Sequence, residues 1–170
     1  MNRREVHYTD VFDETIAMLG NGGLLLASTK RSSESNLMTI GWGTIGIIWS
    51  KAELVVLVRP SRYTYEFIED SGEFTVNVPT PEIAKFVLFC GTNSGRDVDK
   101  LATFDIATTP GQKVSSITID DCPIVYECRV SHKNDVIPEE LLGDIVPSYY
   151  SGGDFHRVYF GEIVGTYARQ

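Results

Sequence analysis

The chain has 170 residues, 42% hydrophobic and 22% charged, with a net charge of −8. That length carries one domain with its own core, read here as a single unit over residues 1–170, and the composition is not that of a disordered chain. So acidic a balance excludes a broad nucleic-acid face, which needs Lys and Arg to neutralise phosphates, and no apolar run approaches the roughly 20 residues that cross a bilayer.

The opening "MNRREVHYTD" has no apolar stretch behind its charges, unlike a signal peptide. A cytoplasmic protein with no membrane and no nucleic-acid partner is expected. "GGLLLAS" at 22–28 reads as a buried strand behind a glycine turn. "NLMTIGWGTIGIIWS" at 36–50 is rich in β-branched and aromatic residues, and Gly41, Gly43 and Gly46 interrupt it. Glycine inside a strand marks a bulge, a barrel corner or close approach of another group. "ELVVLVR" at 53–59 is a further strand, and "SRYTYEFIEDSG" reads as a helix with Ser61 as N-cap and Gly72 as terminator. "EFTVNVP" alternates, with Phe74, Val76 and Val78 on one face and Thr75 and Asn77 on the other.

"TPEIAKFVLFCG" is punctuated as a helix, with Thr80 as cap, Pro81 at its first position and Gly91 as stop. "VSSITI" and "IVYECRV" read as strands around "DDCP", and the closing "HRVYFGEIVGTYAR" as a long strand bent at Gly161 and Gly165. The region around "PEELLGDIVPSYYSGGD" reads as a short helix and an irregular loop. Cys122 and Cys128 fall on one strand in this reading, about 20 Å apart, which excludes a disulfide between them. With Cys90 the cysteines are odd in number and lack a CxxC, as in a reducing compartment. So many strands with so few helices suggest a closed or nearly closed antiparallel barrel.

Three segments can carry chemistry. At "RPSRYT" a strand gives way to a helix whose first turn offers unpaired N–H groups. Ser61 and Thr64 add hydroxyls, and Arg59 and Arg62 add guanidinium forks suited to an oxyanion. A plain helix cap flanked by solvated arginines is the competing reading. In "TNSGRDVDK", Ser94, Gly95, Arg96 and Lys100 make a donor-rich turn that either cradles an anion or is an exposed loop. In "NLMTIGWGTIG", Asn36, Thr39 and Trp42 surround bare backbone at Gly41, where a flat heteroaromatic ring could hydrogen-bond to the main chain. A strand curving at a barrel corner explains the same residues. "GWGTIG" satisfies Gly-x-Gly-x-x-Gly but opens no helix, so it is not a dinucleotide fingerprint. No hydrolase elbow, HExxH or metal spacing occurs. Cys90 reads as a buried, inert thiol.

In order and spacing, "NLMTIGWGTIG", "RPSRYTYEFIEDSGEFTVNVP", "CGTNSGRDVDK" and "FHRVYFGEI" resemble the flavin reductase-like family, of the flavoredoxin type, from about Gly23 to Val164. The resemblance implies a mainly β fold, an FMN-binding split β-barrel (a Greek-key antiparallel barrel) with a few short flanking helices, assembled as a homodimer. It implies FMN as cofactor, its phosphate on Arg59, Ser61, Arg62 and Thr64 with help from Ser94, Arg96 and Lys100. The isoalloxazine ring would lie along Asn36 to Trp42, touching Thr39, Ile40 and Gly41, with Tyr63 near the ribityl chain. One departure is visible: Phe155 stands between Asp154 and His156, where the family's last strand often opens Asp-His. One inserted residue reverses the side a strand residue faces, so no role is carried over to His156.

The activity this implies is an oxidoreductase passing electrons from NADH or NADPH through FMN to a small-molecule or protein acceptor. An electron carrier without its own substrate, and a non-redox module for a phosphorylated ligand, are the alternatives. No catalytic side chain is assigned, because flavin chemistry resides in the cofactor.

Overall fold

The β-branched runs become strands, and their order leaves the sheet open at two edges that are neighbours in sequence. The computed structural model describes residues 3–169. A short β1 (Arg4–Glu5) leads into α1 (Phe12–Gly20), then β2 (Leu24–Thr29), β3 (Ser35–Ile40), β4 (Gly43–Ile48) and β5 (Lys51–Val58). Next come α2 (Tyr63–Ser71), β6 (Glu73–Val78), α3 (Ala84–Thr92), α4 (Lys100–Phe104), β7 (Thr108–Pro110) and β8 (Ile117–Ile119). The chain closes with β9 (Ile124–Asp135), α5 (Ile145–Tyr149) and β10 (Arg157–Ala168).

The main sheet runs β3-β2-β6-β9-β10-β5-β4, with β1 on the end of β10 and β7–β8 as a separate ribbon. All its pairings are antiparallel. This is the split barrel: the sheet curls around a core but is not closed, since β3 and β4 do not pair. The segment expected as one interrupted strand over 36–50 is therefore two strands on opposite edges, with Gly41 and Trp42 carrying the chain between them. β10 changes register between Phe160 and Gly161 and between Ile163 and Gly165, so the bends fall at the expected glycines.

Period-two alternation decides what faces inward. Leu24 and Leu26, Leu54, Val56 and Val58, and Phe74, Val76 and Val78 fill the barrel together with Tyr126 and Tyr159. The outer face of β2 and β3 is covered as well: Leu25, Ala27 and Leu37 pack on Phe86, Val87 and Cys90 of α3. Thr75 and Asn77, on the polar face of β6, are buried rather than solvated, because β8 crosses over them. Thr75 Oγ1 donates to Ile117 O at 2.6 Å, and Asn77 Oδ1 accepts the Ile119 N–H at 2.8 Å. Two hydroxyl and amide groups thus stay satisfied in a dry layer.

α2 buries Phe67 and Ile68 and stops at Gly72, whose φ of +70° suits glycine and whose N–H reaches Ile68 O. Its N-cap is Arg62, with no side-chain capping bond, so Ser61 is not the cap the sequence suggested. A 3-10 turn over Pro81–Ile83 precedes α3, which runs past Gly91 to Thr92. A glycine lacking a left-handed φ need not end a helix. α1 and α4 escape the sequence reading; α4 is short and is held by Asp99, whose side chain accepts the Ala102 N–H at 3.0 Å. All three cysteines are buried and free, and Cys122 lies in the turn before β9 rather than on it.

Core position should govern stability. Phe74→Ala, at the centre of the barrel, is expected to cost about 3–5 kcal/mol in urea unfolding, while Leu88→Ala, whose side chain is 68% exposed, should cost about 0.5 kcal/mol or less.

Candidate anion and ring-binding site

Three chain segments meet beside the open edge of the barrel. The β5–α2 turn brings Arg59, Ser61, Arg62, Tyr63 and Thr64; β3 brings Asn36; and the loop between α3 and α4 brings Ser94 and Gly95, with Lys100 just beyond. They enclose a cavity of about 260 Å³. Asn36 Nδ2 donates to Thr64 Oγ1 at 2.8 Å, and both residues are buried, which locks α2 to β3. Gly95 fits the loop against β3 because it has no side chain: a Cβ there would stand 2.1 Å from Asn36 Oδ1. The close approach forms a cradle that a larger residue would fill.

Lys100 is 4% exposed, yet its Nζ donates to two main-chain carbonyls, Leu37 O at 2.8 Å and Cys90 O at 3.0 Å. Burial, joined by the nearby Arg62 charge, holds its pKa below the usual lysine value. A cation desolvated in this way is costly unless a negative charge reaches it. With Arg59 and Arg62 on the same cavity, the donor set fits a phosphate group. Cys90 shares the wall, and burial pushes its thiol up to about 12, so it is protonated at neutral pH, in keeping with an inert role.

A second compartment of about 170 Å³ shares Met38, Arg59 and Arg62 with the first. Its floor is Thr39, Ile40 and Gly41 at the end of β3, and its walls include Trp42, Leu57 and His156. Because β3 pairs only with β2, its other backbone groups face the split. A Cβ placed on Gly41 would meet nothing within 4 Å. Open space over bare strand backbone fits a flat heterocycle that exchanges hydrogen bonds with N–H and C=O groups. Thr39 turns its hydroxyl to Val87 O and ties the strand to α3. Trp42 meets the His156 ring at 4.9 Å and stands edge-on to Tyr149 at 5.2 Å. His156 Nδ1 and the Tyr150 hydroxyl share a hydrogen bond of 2.8 Å. Burial, then the Arg59 charge, lowers the His156 pKa to about 4, so the imidazole is neutral at pH 7.

Several donors already have partners. The Arg59 guanidinium donates to Tyr149 O at 2.7 Å and Asp154 O at 2.9 Å. Asp154 accepts from the Ser61 N–H at 3.2 Å and the Ser61 hydroxyl at 2.5 Å. Arg62 donates to Gly91 O at 3.1 Å. Arg96 lies apart from the cavity, on a neighbouring cleft of about 540 Å³. There its guanidinium sits over Tyr63 at 4.8 Å, pairs with Glu66 and donates to Ser61 O at 3.0 Å, while its N–H reaches Ser94 Oγ at 3.2 Å. Tyr63 donates its hydroxyl to Glu34 at 3.0 Å.

The structure thus gathers Asn36, Arg59, Ser61, Arg62, Tyr63, Thr64, Ser94 and Lys100 around one cavity, and Thr39 to Trp42 around the next. Arg96 braces that arrangement from outside. Sequence reasoning missed Asp154 and the Tyr149–Tyr150 pair. The sequence signals them through "YYSGGD", whose glycines announce a tight loop but not where it lands.

The sequence model of the "Flavin reductase like domain" family matches residues 20–170. An uncharacterized protein of Archaeoglobus fulgidus is 37% identical over 129 residues, which cover 76% of this chain and 63% of that relative. This chain therefore spans less than two thirds of that relative's length. Among solved structures, flavoredoxin of Desulfovibrio vulgaris (Miyazaki F) superposes with a TM-score of 0.70 at 22% identity, covering 87% of this chain and 69% of that one. Flavoredoxin from Methanosarcina acetivorans superposes with a TM-score of 0.68 at 27% identity, covering 87% and 69% respectively.

The buried imidazole makes stability depend on pH. Its folded pKa is depressed, so its contribution is fully present above the unfolded value near 6.5 and is lost as pH falls toward 4. Between pH 6.5 and pH 5 the wild type should lose about 2 kcal/mol from this group, and His156→Gln should lose less over the same interval in paired urea titrations.

Proposed function

The chain belongs to the flavin reductase-like family, and from that premise we propose that it binds FMN and passes electrons from a reduced nicotinamide to an acceptor. The observation that carries this reading is the buried Lys100 ammonium, beside Arg59 and Arg62, in a cavity that continues onto the open edge of β3. A cationic pocket and a bare strand side by side suit a ligand with a phosphate at one end and a flat ring at the other.

Arg62, Thr64, Ser94 and Lys100 hold the phosphate, joined by Arg59 and Ser61, whose partners in this structure lie on the 149–154 loop. The Asn36–Thr64 bond fixes α2 on β3 and so sets the distance between the two compartments. The backbone of Thr39, Ile40 and Gly41 orients the ring, and Trp42, Leu57 and His156 keep water from one side of it. When bound, FMN supplies the hydride- and electron-accepting chemistry. The neutral His156 adds no charge beside the ring, and its hydrogen bond to Tyr150 keeps the imidazole in place.

We infer further that two copies associate around the split, as the family resemblance implies. Ile47 on the edge strand β4 is 63% exposed and Trp49 in the following turn 62%, apolar side chains that a second copy would cover. Light scattering across a concentration series should give twice the monomer mass; a strict monomer overturns this point.

Titration with FMN should give a saturable 1:1 complex, and Arg62→Ala should weaken it by about 2 kcal/mol, the loss of a charge-assisted contact. Anaerobic mixing of the complex with NADH and with NADPH should bleach the flavin absorbance within seconds for one of them. A complex that bleaches with neither is an electron carrier, and a protein that binds phosphate esters but not flavin is a non-redox module.

A further inference from the structure

Asp154 occupies ground on which a ligand's oxyanion is expected. Its carboxylate takes both polar hydrogens that Ser61 offers, the N–H at 3.2 Å and the hydroxyl at 2.5 Å. It does so from a left-handed backbone, φ +57°, directly after Gly153 at φ +77°. Arg59 clasps the same loop through the carbonyls of Tyr149 and Asp154, and its guanidinium lies 5.0 Å from the Tyr150 ring centre. The other face of this loop reaches the ring compartment, where Tyr149 stands against Trp42 and Tyr150 bonds to His156. Residues 149–154, the end of a strap that begins at 145, therefore touch both the anion cavity and the aromatic wall.

We propose that Asp154 determines the specificity of the anion cavity: its carboxylate is an internal competitor that a phosphate monoester must displace from Ser61, and its displacement releases the strap from Trp42. The proposal rests on the FMN reading for the identity of the ring, but not for the competition at Ser61. A carboxylate and a phosphate dianion repel each other and need the same donors, so they cannot share them. The dianion carries more charge toward Arg59, Arg62 and Lys100, which Asp154 does not contact in this structure through its carboxylate. A ligand shifts such an equilibrium only by its differential affinity for the two states. A phosphorylated flavin has that differential; riboflavin, with no anion to set against Asp154, does not. Closure of the strap lowers the apparent affinity for every ligand that needs it open, and Asp154 sets how far.

The test uses the intact chain, with Trp42→Phe as the control that assigns the emission change to Trp42 of the two tryptophans in the sequence. Inorganic phosphate should change Trp42 emission saturably, and Asp154→Asn should lower the half-saturating phosphate concentration about tenfold. The same variant should bind FMN about tenfold more tightly and riboflavin within twofold of the parent. Asp154→Gly, which accepts the left-handed backbone without a side chain, should move both ligands the same way and guards against an effect peculiar to asparagine. Phosphate and FMN affinities unchanged or weakened in both variants overturn the proposal. A parent protein that answers to phosphate but binds no flavin refutes the FMN reading and leaves the competition at Ser61 standing. A parent that binds FMN while neither variant binds it more tightly refutes the competition alone.

Discussion

The missing bond between β3 and β4 is the constraint from which the site follows. A sheet that closed on itself would pair every strand edge and leave no main-chain groups free. Here the chain crosses the gap in the two residues Gly41 and Trp42, so the edges stay apart although they are consecutive in sequence. The unpaired side of β3 becomes a floor, Trp42 becomes a wall, and the β5–α2 turn arrives at one end of the floor with its arginines. The rest of the barrel, from the Leu24–Leu26 face to Phe74 and Tyr159, serves to hold these edges at a fixed separation.

Charge is arranged against the overall balance. A chain of net charge −8 keeps Lys100 buried among carbonyl dipoles and sets Arg59 and Arg62 on the same cavity. Several other cations are spent in surface pairs, such as Lys51 with Glu162 and Lys113 with Glu5, which contribute little to stability. Local concentration of positive charge in an acidic protein selects for a small anion over a polyanion, because the surrounding surface repels extended phosphate backbones. The strap at 145–154 adds a second selection, since its own carboxylate must be outcompeted.

Aromatic residues connect the two compartments. Trp42, Tyr149, Tyr150 and His156 contact one another across the split, and Arg59 lies over Tyr150. A shift at the anion end thus has a packed route to the ring end through side chains in direct contact. The lowered His156 pKa belongs to the same packing: burial under this cluster and the adjacent Arg59 both disfavour the charged imidazole.

Local sequence settled most of the strands, the helix α2 with its glycine stop and the bends of β10, because alternation and glycine chemistry act over a few residues. Asn36, Arg59, Arg62, Thr64 and Lys100 were all legible as polar residues of the three segments that could carry chemistry. Distances through space were not legible: that Asn36 meets Thr64 twenty-eight positions away, or that Asp154 lands on Ser61 across ninety-three, depends on how the strands are ordered. The same holds for Lys100, whose burial comes from α3 and β3 closing over it, and for Thr75 and Asn77, which β8 hides. Periodicity assigns a residue to a face, but what covers that face is chosen by long-range pairing, and only the tertiary structure decides it.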